Sequence, residues 1–294
     1  MEHGKILFVI NRKSGSDHSD ELESGIRKTA MDSGIKDELL FLSGDGDKKK
    51  IKDKIDSFKP GIVVAAGGDG TVNLVASVIS GLNIKLGIIP LGSANGLAFE
   101  FGIPEKPEDA LKLIFDGTAK PLDIIRINNN HISLHLSDVG INARIVKEFQ
   151  KEDKRGFMSY VKHFFKEMLK PPRTFACSVR TDEKVFTHKA HMVIIANASN
   201  YRTGANINPG GKTDDGKFEV VIIRPYSRWK WRTFIGAFTG TFDKKPHIKV
   251  YECTSAVINV NPAQDFQIDG EPLGKYEEIK ATIEKHALSL IYLP

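Results

Sequence analysis

The sequence predicts two domains: an α/β domain built on a parallel sheet, then a β-rich domain built as a sandwich. Three observations carry this reading. Apolar runs alternate with helix-like segments through the first third of the chain. Three glycine-bearing loops of that third, at Gly15, Gly67–Gly70 and Gly92–Gly96, each follow a strand. After about Pro121 the texture changes to short strands separated by turns.

In the first third, residues 6–10 form a continuous apolar run, the pattern of a strand buried on both faces. Residues 20–31 read as a helix and 39–42 as the second strand. Residues 48–58 form a lysine-rich helix that ends at Pro60. Residues 62–66 and 84–89 are the third and fourth strands. Residues 72–79 and 107–115 are helices, the latter closed by Gly117. This order implies a parallel sheet covered by helices, with ligands at the carboxyl ends of the strands.

The second domain opens with a β-hairpin, 122–127 and 131–136 around Asn128-Asn129-Asn130. Further strands are expected at 174–180, 185–190, 192–196, 219–223, 256–260 and 287–293. The boundaries are therefore 1–121 and 122–286, and the last strand, 287–294, can return to the first domain. Two helical inserts interrupt the strands. In the first, Phe157, Tyr160, Val161, Phe164, Phe165 and Met168 make one stripe, stopped by Pro171-Pro172. It reads as core packing or as a wall of an acyl-chain pocket. In the second, Trp231, Phe234, Ile235 and Phe238 make a stripe. Trp229 stands off it between Arg228 and Lys230, either capping the surface or touching a membrane.

Composition narrows the class. The chain has 294 residues, 40% hydrophobic and 27% charged, as in soluble globular proteins. No apolar run approaches the about 20 residues of a membrane span. Met1 to Lys5 run straight into the first strand, so no signal peptide is expected. Cys177 and Cys253 form no metal-like pair. They read as packing thiols in a reducing cytoplasm. A net charge of +5 suits nucleotides, anionic lipid surfaces or nucleic acid, without choosing among them.

The chemistry is concentrated in loops. Gly67-Gly68-Asp69-Gly70-Thr71 joins a buried strand to a helix. Glycines let backbone N–H groups approach phosphate oxygens, and the helix N-terminus adds donors and a positive dipole end. Asp69 supplies an acceptor for Mg²⁺, water or a ribose hydroxyl. The plainer alternative is a tight turn with Asp69 and Thr71 as caps. A second loop, Pro90-Leu91-Gly92-Ser93-Ala94-Asn95-Gly96-Leu97-Ala98, offers a close approach, a hydroxyl and an amide. Asn11-Arg12-Lys13-Ser14-Gly15 ends the first strand. Together the loops describe a polyphosphate cradle that has neither the P-loop nor the Rossmann spacing.

Near the C-terminus, Gln267-Ile268-Asp269-Gly270-Glu271-Pro272 puts two carboxylates around a glycine. One can accept a hydroxyl proton while the other positions metal or water; an ordinary Asp-Gly turn has the same sequence. Thr213-Asp214-Asp215-Gly216 is a second acidic turn, suited to Ca²⁺ or Mg²⁺ held partly by backbone carbonyls.

In order and spacing these motifs resemble the diacylglycerol kinase catalytic-domain family, in its bacterial lipid kinase branch, related to sphingosine and ceramide kinases. The resemblance covers essentially the whole chain. It runs from Asn11–Gly15 through Gly67–Asn73, Pro90–Ala98, Asp123, the Gly156–Tyr160 segment and Asp215-Gly216 to Asp269-Gly270-Glu271. It implies an N-terminal domain like those of phosphofructokinase and NAD kinase, a C-terminal β-sandwich, and ATP between them.

Carried over by position, Asn11, Ser43, Gly67, Gly68, Asp69, Gly70, Thr71, Val72, Asn73, Gly92, Ser93 and Asn95 would bind ATP. Asp269, Glu271 and Asp69 would be catalytic, with Asp269 favoured as the base and Glu271 as the alternative. Asp215, with carbonyls of Lys212 and Lys217, would hold a structural Ca²⁺ or Mg²⁺ beside the Mg²⁺ of ATP. Arg12 stands in place of the usual Pro, Ala94 in place of a common Gly, and Gly96 where many bacterial members have Asp. The last change moves the loop toward the sphingosine kinase version and leaves the acceptor open among diacylglycerol, a sphingoid base or a related lipid.

The resemblance thus implies an ATP-dependent kinase acting on a lipid hydroxyl at a membrane surface. It would be cytoplasmic or peripheral to the inner membrane face, with no transmembrane segment and no nucleic-acid partner, and compatible with a homodimer. A NAD kinase shares Gly-Gly-Asp-Gly-Thr, but the second loop and the Asp269-Gly270-Glu271 loop argue against that activity. Gly96 and Arg12 motivate a third reading, a nucleotide- or lipid-binding regulator without catalysis. The retained carboxylates argue against it.

Overall fold

Continuous apolar runs place the first strands in the middle of a covered sheet. The computed structural model describes residues 4–12, 19–93, 95–149, 173–182, 184–197, 211–225 and 247–292. Lys13, Ser14, Gly15, Ala94, the segment from Gly156 to Tyr160 and both helical inserts, with Trp229, lie outside the described residues. The chain divides into two units, Met1–Leu122 with His286–Pro294, and Asp123–Lys285.

The first unit is α/β. Its strands are β1 (Lys5–Ile10), β2 (Lys36–Phe41), β3 (Ile62–Gly67) and β4 (Lys85–Pro90). They are joined by the helices α1 (Ser19–Asp32), α2 (Asp47–Phe58) and α3 (Asp69–Ile79). After β4 come α4 (Gly96–Glu100) and α5 (Pro107–Asp116). The sheet runs β2-β1-β3-β4, all parallel. Ile6 to Ile10 and Val63 to Ala66 are almost wholly buried, as strands covered on both faces must be. Leu22, Ile26 and Ala30 recur every fourth residue on α1 and are buried. Ile51 and Ile55 do the same on α2. The second strand is longer than the apolar run 39–42 suggests, because parallel pairing with β1 extends back to Lys36. The third helix starts at Asp69, inside the glycine turn.

The second unit is antiparallel. A long strand, β5 (Thr118–Ile127), enters it, and Asn128 and Asn129, both with left-handed φ, turn the chain into β6 (His131–Ser133). The expected strand 131–136 is two strands: β6 ends at Ser133, and β7 (Leu136–Gly140) starts a new alignment. The amides of 134–136 are drawn to the Asp269 carboxylate instead of a strand partner. A helix that the sequence reading missed, α6 (Ile141–Phe149), follows.

Strands β8 (Phe175–Thr181), β9 (Val185–Ala190), β10 (Met192–Ala196), β11 (Phe218–Ile223) and the unforeseen β12 (Ile248–Cys253) come next. The last two are β13 (Ser255–Ile268) and β14 (Glu271–Tyr292), so the short strand expected at 287–293 is the end of a 22-residue strand. One sheet runs β12-β11-β10-β7-β13-β14. The first half of β13 pairs with β8 and its end pairs with β7, across a register shift between Asn259 and Gln264. That change of partner makes the sandwich. Phe175, Phe218, Ile258, Phe266 and Ile279 fill its interior. A smaller apolar layer joins α6 to β10 and β11 through Ile141, Ile145, Met192, Ile194 and Val221. The end of β14 belongs to the first unit, where Ser289 and Leu290 pair in parallel with Lys85 and Leu86 of β4.

Two predictions follow from this packing. Asp182 accepts hydrogen bonds from the Ser255 hydroxyl, from the Thr254 N–H and hydroxyl at 2.9 Å, and from the Ser255 N–H at 3.3 Å. The Ser255 hydroxyl and then the Thr254 amide hold its carboxyl down at about 2, below the ordinary 3.8. A carboxyl depressed in the folded state stabilises above its unfolded pKa and loses that stabilisation as pH falls through its folded value. Asp182→Asn should therefore lower stability at neutral pH and flatten the acid limb between pH about 4 and about 2, read by urea unfolding across pH. Burial pushes the Cys177 thiol up to about 11 and the Cys253 thiol up to about 12. Neither should react with a thiol reagent at pH 8 in the native fold, and both should in denaturant.

Candidate functional site

Three loops at the carboxyl ends of β1, β3 and β4 are bound to one another. Gly68 is the N-cap of α3, and its carbonyl accepts the Thr71 and Val72 amides at 2.9 and 3.1 Å. The first turn of a helix presents backbone amides outward from its N-terminus, and α3 begins with Asp69 and Gly70, ahead of the Thr71 amide that Gly68 accepts. Backbone contact explains two of the glycines. A Cβ on Gly92 would stand 2.5 Å from the Gly68 Cα and 2.8 Å from the Asn95 Oδ1. One on Gly68 would stand 3.2 Å from the Gly92 Cα. The β3–α3 and β4–α4 turns can touch only because neither carries a side chain there.

Side chains complete the ties. Asp69 Oδ1 accepts the Gly96 N–H at 2.6 Å, so the carboxylate caps α4. Asn11 donates from Nδ2 to the Thr71 Oγ1 at 3.2 Å. Asn95, at φ 49°, closes its own loop: Oδ1 accepts the Gly92 N–H at 3.0 Å and Nδ2 donates to the Gly92 carbonyl at 2.8 Å. Ser93 is exposed, Asn73 half-buried and Val72 buried in the helix face. Ser43, after β2, donates its hydroxyl to Asp47 Oδ1 at 3.1 Å and accepts from Lys50 at 2.6 Å. Burial pushes the Asp47 carboxyl up. The Ser43 and Gly44 amides, the Ser43 hydroxyl and the Lys50 charge outweigh that, and the net direction is down. Arg12 stacks its guanidinium 4.0 Å from the Phe41 ring.

The other candidate residues lie in the second unit. Asp269 and Gly270 are the two central residues of the β13–β14 hairpin, with φ 48° and 91°. Both are left-handed, as a type I′ turn requires, and Asp-Gly suits it. The Asp269 carboxylate faces inward. Oδ1 accepts the Ser133 hydroxyl and the His135 amide at 3.0 Å and the Leu136 amide at 3.1 Å. Oδ2 accepts the Leu134 amide at 2.8 Å. Glu271 opens β14 and is exposed. Lys212, Asp215 and Lys217 share the loop before β11. There the Asp215 Oδ1 accepts the Lys217 amide at 3.0 Å, and Lys217 pairs with Glu252 at 2.6 Å. The buried Asp123 accepts the Gly216 amide at 2.6 Å. This loop offers two exposed carboxylates, Asp214 and Asp215, and backbone carbonyls, oxygen donors of the kind hard cations take. Among the described residues, no three His, Cys, Asp or Glu side chains stand together as metal ligands.

A model of the diacylglycerol kinase catalytic domain matches residues 5–127. One of the YegS C-terminal NAD kinase beta sandwich-like domain matches residues 137–292. The chain belongs to the diacylglycerol kinase-like family. A protein of Pectobacterium atrosepticum named "Probable lipid kinase YegS-like" is 29% identical over 289 residues, covering 93% of this chain and 91% of that protein. "Probable lipid kinase YegS" of Salmonella arizonae is 28% identical, covering 92% and 90%. The crystal structure of a diacylglycerol kinase from Bacillus anthracis shares the fold, with a TM-score of 0.81 at 21% identity, covering 99% of this chain and 97% of that one.

Sequence reasoning missed several polar residues around the Asp269 turn of this family member. Ser133 bonds Asp269, and Gln267 accepts the Gly270 amide on Oε1 at 2.7 Å. Asp138 and Asn142 join Gln267 in a buried cluster. The available signal was Asp138, an acid inside the otherwise uncharged strand 136–140. The loop contact gives a direct test: Gly92→Ala should cost about 1–3 kcal/mol of stability in urea unfolding, because the new Cβ meets backbone. Ser93→Ala, at an exposed position, should leave stability within about 0.5 kcal/mol of wild type.

Proposed function

We propose that the chain is an ATP-dependent lipid kinase that transfers the γ-phosphoryl group to a lipid hydroxyl. One observation carries the reading: in a member of this family, three loops are locked around a bare glycine backbone at the start of α3. Gly67, Gly68, Asp69, Gly70, Thr71, Val72 and Asn73 would hold the ATP phosphates, with Asn11, Ser43, Gly92, Ser93 and Asn95 completing the nucleotide site. The fit rests on bare backbone: Gly68 and Gly70 put no side chain over the first-turn amides, and those amides favour anions. Asp69 holds the two turns together. Mg²⁺, held with Asp69 through water, would supply neutralisation of phosphate charge. Lys212, Asp215 and Lys217 would hold a structural Mg²⁺ or Ca²⁺.

In the second unit we assign the proton acceptor to Glu271, with Asp269 as the residue that fixes its turn. Both Asp269 oxygens are engaged by donors, whereas Glu271 is exposed at the start of β14. Glu271 would take the hydroxyl proton as the oxygen attacks phosphorus, and the phosphate loops would supply positioning and charge stabilisation. The acceptor is a membrane lipid such as diacylglycerol or a sphingoid base, met at the inner membrane surface from the cytoplasm and phosphorylated as a step of phospholipid metabolism. A homodimer is part of the proposal. Among the described residues, no helix is long and apolar enough to cross a membrane.

The test is transfer of radiolabelled phosphate from ATP to vesicles carrying diacylglycerol, sphingoid base, ceramide, phosphatidylglycerol or undecaprenol. One of these lipids should be labelled. Glu271→Gln should lower kcat about a hundredfold or more, and Asp69→Ala should abolish turnover. Formation of NADP from NAD and ATP would replace the assignment with a NAD kinase. ATP binding without transfer to any lipid would make the chain a regulator.

A further inference from the structure

Asp138 is a fully buried carboxylate beside an apolar layer. Strand alternation puts it on the same face of β7 as Leu136, which packs with Ile141 and Ile145 of α6 and with Met192 and Ile194 of β10. A carboxylate in such a layer is unfavourable unless donors face it. Two do. Asn142, in the first turn of α6, donates from Nδ2 to Asp138 Oδ2 at 2.5 Å. Gln267, directly across the ladder in β13, donates from Nε2 to the same oxygen.

The Gln267 side chain is 1% exposed, and both ends of its amide are used. An ionised carboxylate only accepts, so Asp138 decides which way that amide points. With NH₂ on Asp138, the oxygen faces the turn and takes the Gly270 amide at 2.7 Å. Reversed, the NH₂ group would oppose the Gly270 N–H. Asp269 ties the same turn from its other side, through the 133–136 segment.

We infer that Asp138 and Gln267 are positioning residues: their relay fixes the Gly270 amide and so the direction in which the chain leaves the turn at Glu271. The inference rests on the assignment of Glu271 as the base. Neither residue touches the reacting atoms, so each acts on kcat through the turn and leaves nucleotide affinity alone.

Three variants test this. Gln267→Met keeps length and loses both bonds. Gln267→Glu sets two carboxylates face to face. The double variant Asp138→Asn/Gln267→Glu restores a donor, because the new amide can bond the new carboxylate while the Asn142 amide turns to accept. For Gln267→Met, kcat should fall about tenfold with KM for ATP unchanged. Gln267→Glu should fall as far at neutral pH and recover as pH is lowered and the facing pair shares a proton. The double variant should return to within about twofold of wild type, a recovery that lost packing alone would not give. Wild-type kcat in Gln267→Met, or a folded double variant that stays impaired, would overturn the inference. Amide hydrogen exchange at Gly270 gives a readout independent of turnover. It should quicken about tenfold in Gln267→Met and return to the wild-type rate in the double variant. Unchanged exchange in Gln267→Met would sink the relay even if the lipid assay succeeds. Quickened exchange in a protein that phosphorylates no lipid would uphold the relay and reject the kinase reading.

Discussion

The second unit depends on one carboxylate placed against three consecutive amides. Where the chain passes from β6 to β7 it changes sheet partners, and the amides of Leu134, His135 and Leu136 have no ladder to enter. Buried amides left without acceptors would cost stability at each position. Asp269 takes all three, together with the Ser133 hydroxyl. Bonds to an ionised acceptor are stronger than neutral ones, so this single side chain fixes both a sharp change of strand and the hairpin opposite it. The left-handed backbone at Asp269 and Gly270 makes the turn tight enough for the carboxylate to face that segment. Remove the acceptor and the end of β6, the start of β7 and the β13–β14 turn lose their common support.

The first unit is organised by a different constraint, the closeness of two backbones. Gly68 and Gly92 leave no room for a Cβ between the β3–α3 and β4–α4 turns. The Asp69 carboxylate then spans the same gap to cap α4. Glycine at these places is usually explained by a ligand's need for close approach. Here contact between the loops demands it first. The proposed phosphate site would then have its loops tied together before anything binds, the arrangement in which electrostatic stabilisation is most effective.

Much of this was legible in the residues. Apolar runs 6–10 and 62–66 gave β1 and β3 because parallel strands are covered on both faces and need no alternation. Asn128-Asn129-Asn130 gave the hairpin from β5 to β6, because asparagine accepts the left-handed backbone that a tight turn needs. The break at Ser133 was not legible. Its cause is an acceptor more than 130 residues away in sequence, and nothing local in His131 to Leu136 marks it. Strand β12 was missed for a related reason. Lys249, Tyr251 and Glu252 blur its alternation, and it is held as a strand by pairing with β11. The roles inside the site were harder to read than its membership. The resemblance brought Asn95 and Ser43 forward as nucleotide contacts, and in the structure their side chains also bond their own loops, at Gly92 and at Asp47.

On the proposed assignment, the Asp269-Gly270-Glu271 turn would divide two tasks between two acids. A proton acceptor must exchange partners during a reaction, losing one contact and gaining a hydrogen. Asp269 is badly placed for that, because a proton on either oxygen would set an O–H among groups that are themselves donors, and the arch from Ser133 to Leu136 would loosen. Glu271 lies beyond the left-handed pair, exposed, at the head of a strand whose ladder begins with it. The geometry thus separates a carboxylate engaged on both oxygens from one that is exposed. Ser133, Gln267 and Asp138 extend the fixed half: each bonds the turn or the side chain that holds it, and none is exposed to solvent. A buried acid is costly to maintain unless donors face it. Its presence in a wholly buried strand is explained by the direction it imposes on the turn, since apolar residues of similar size would fill the same space with less penalty.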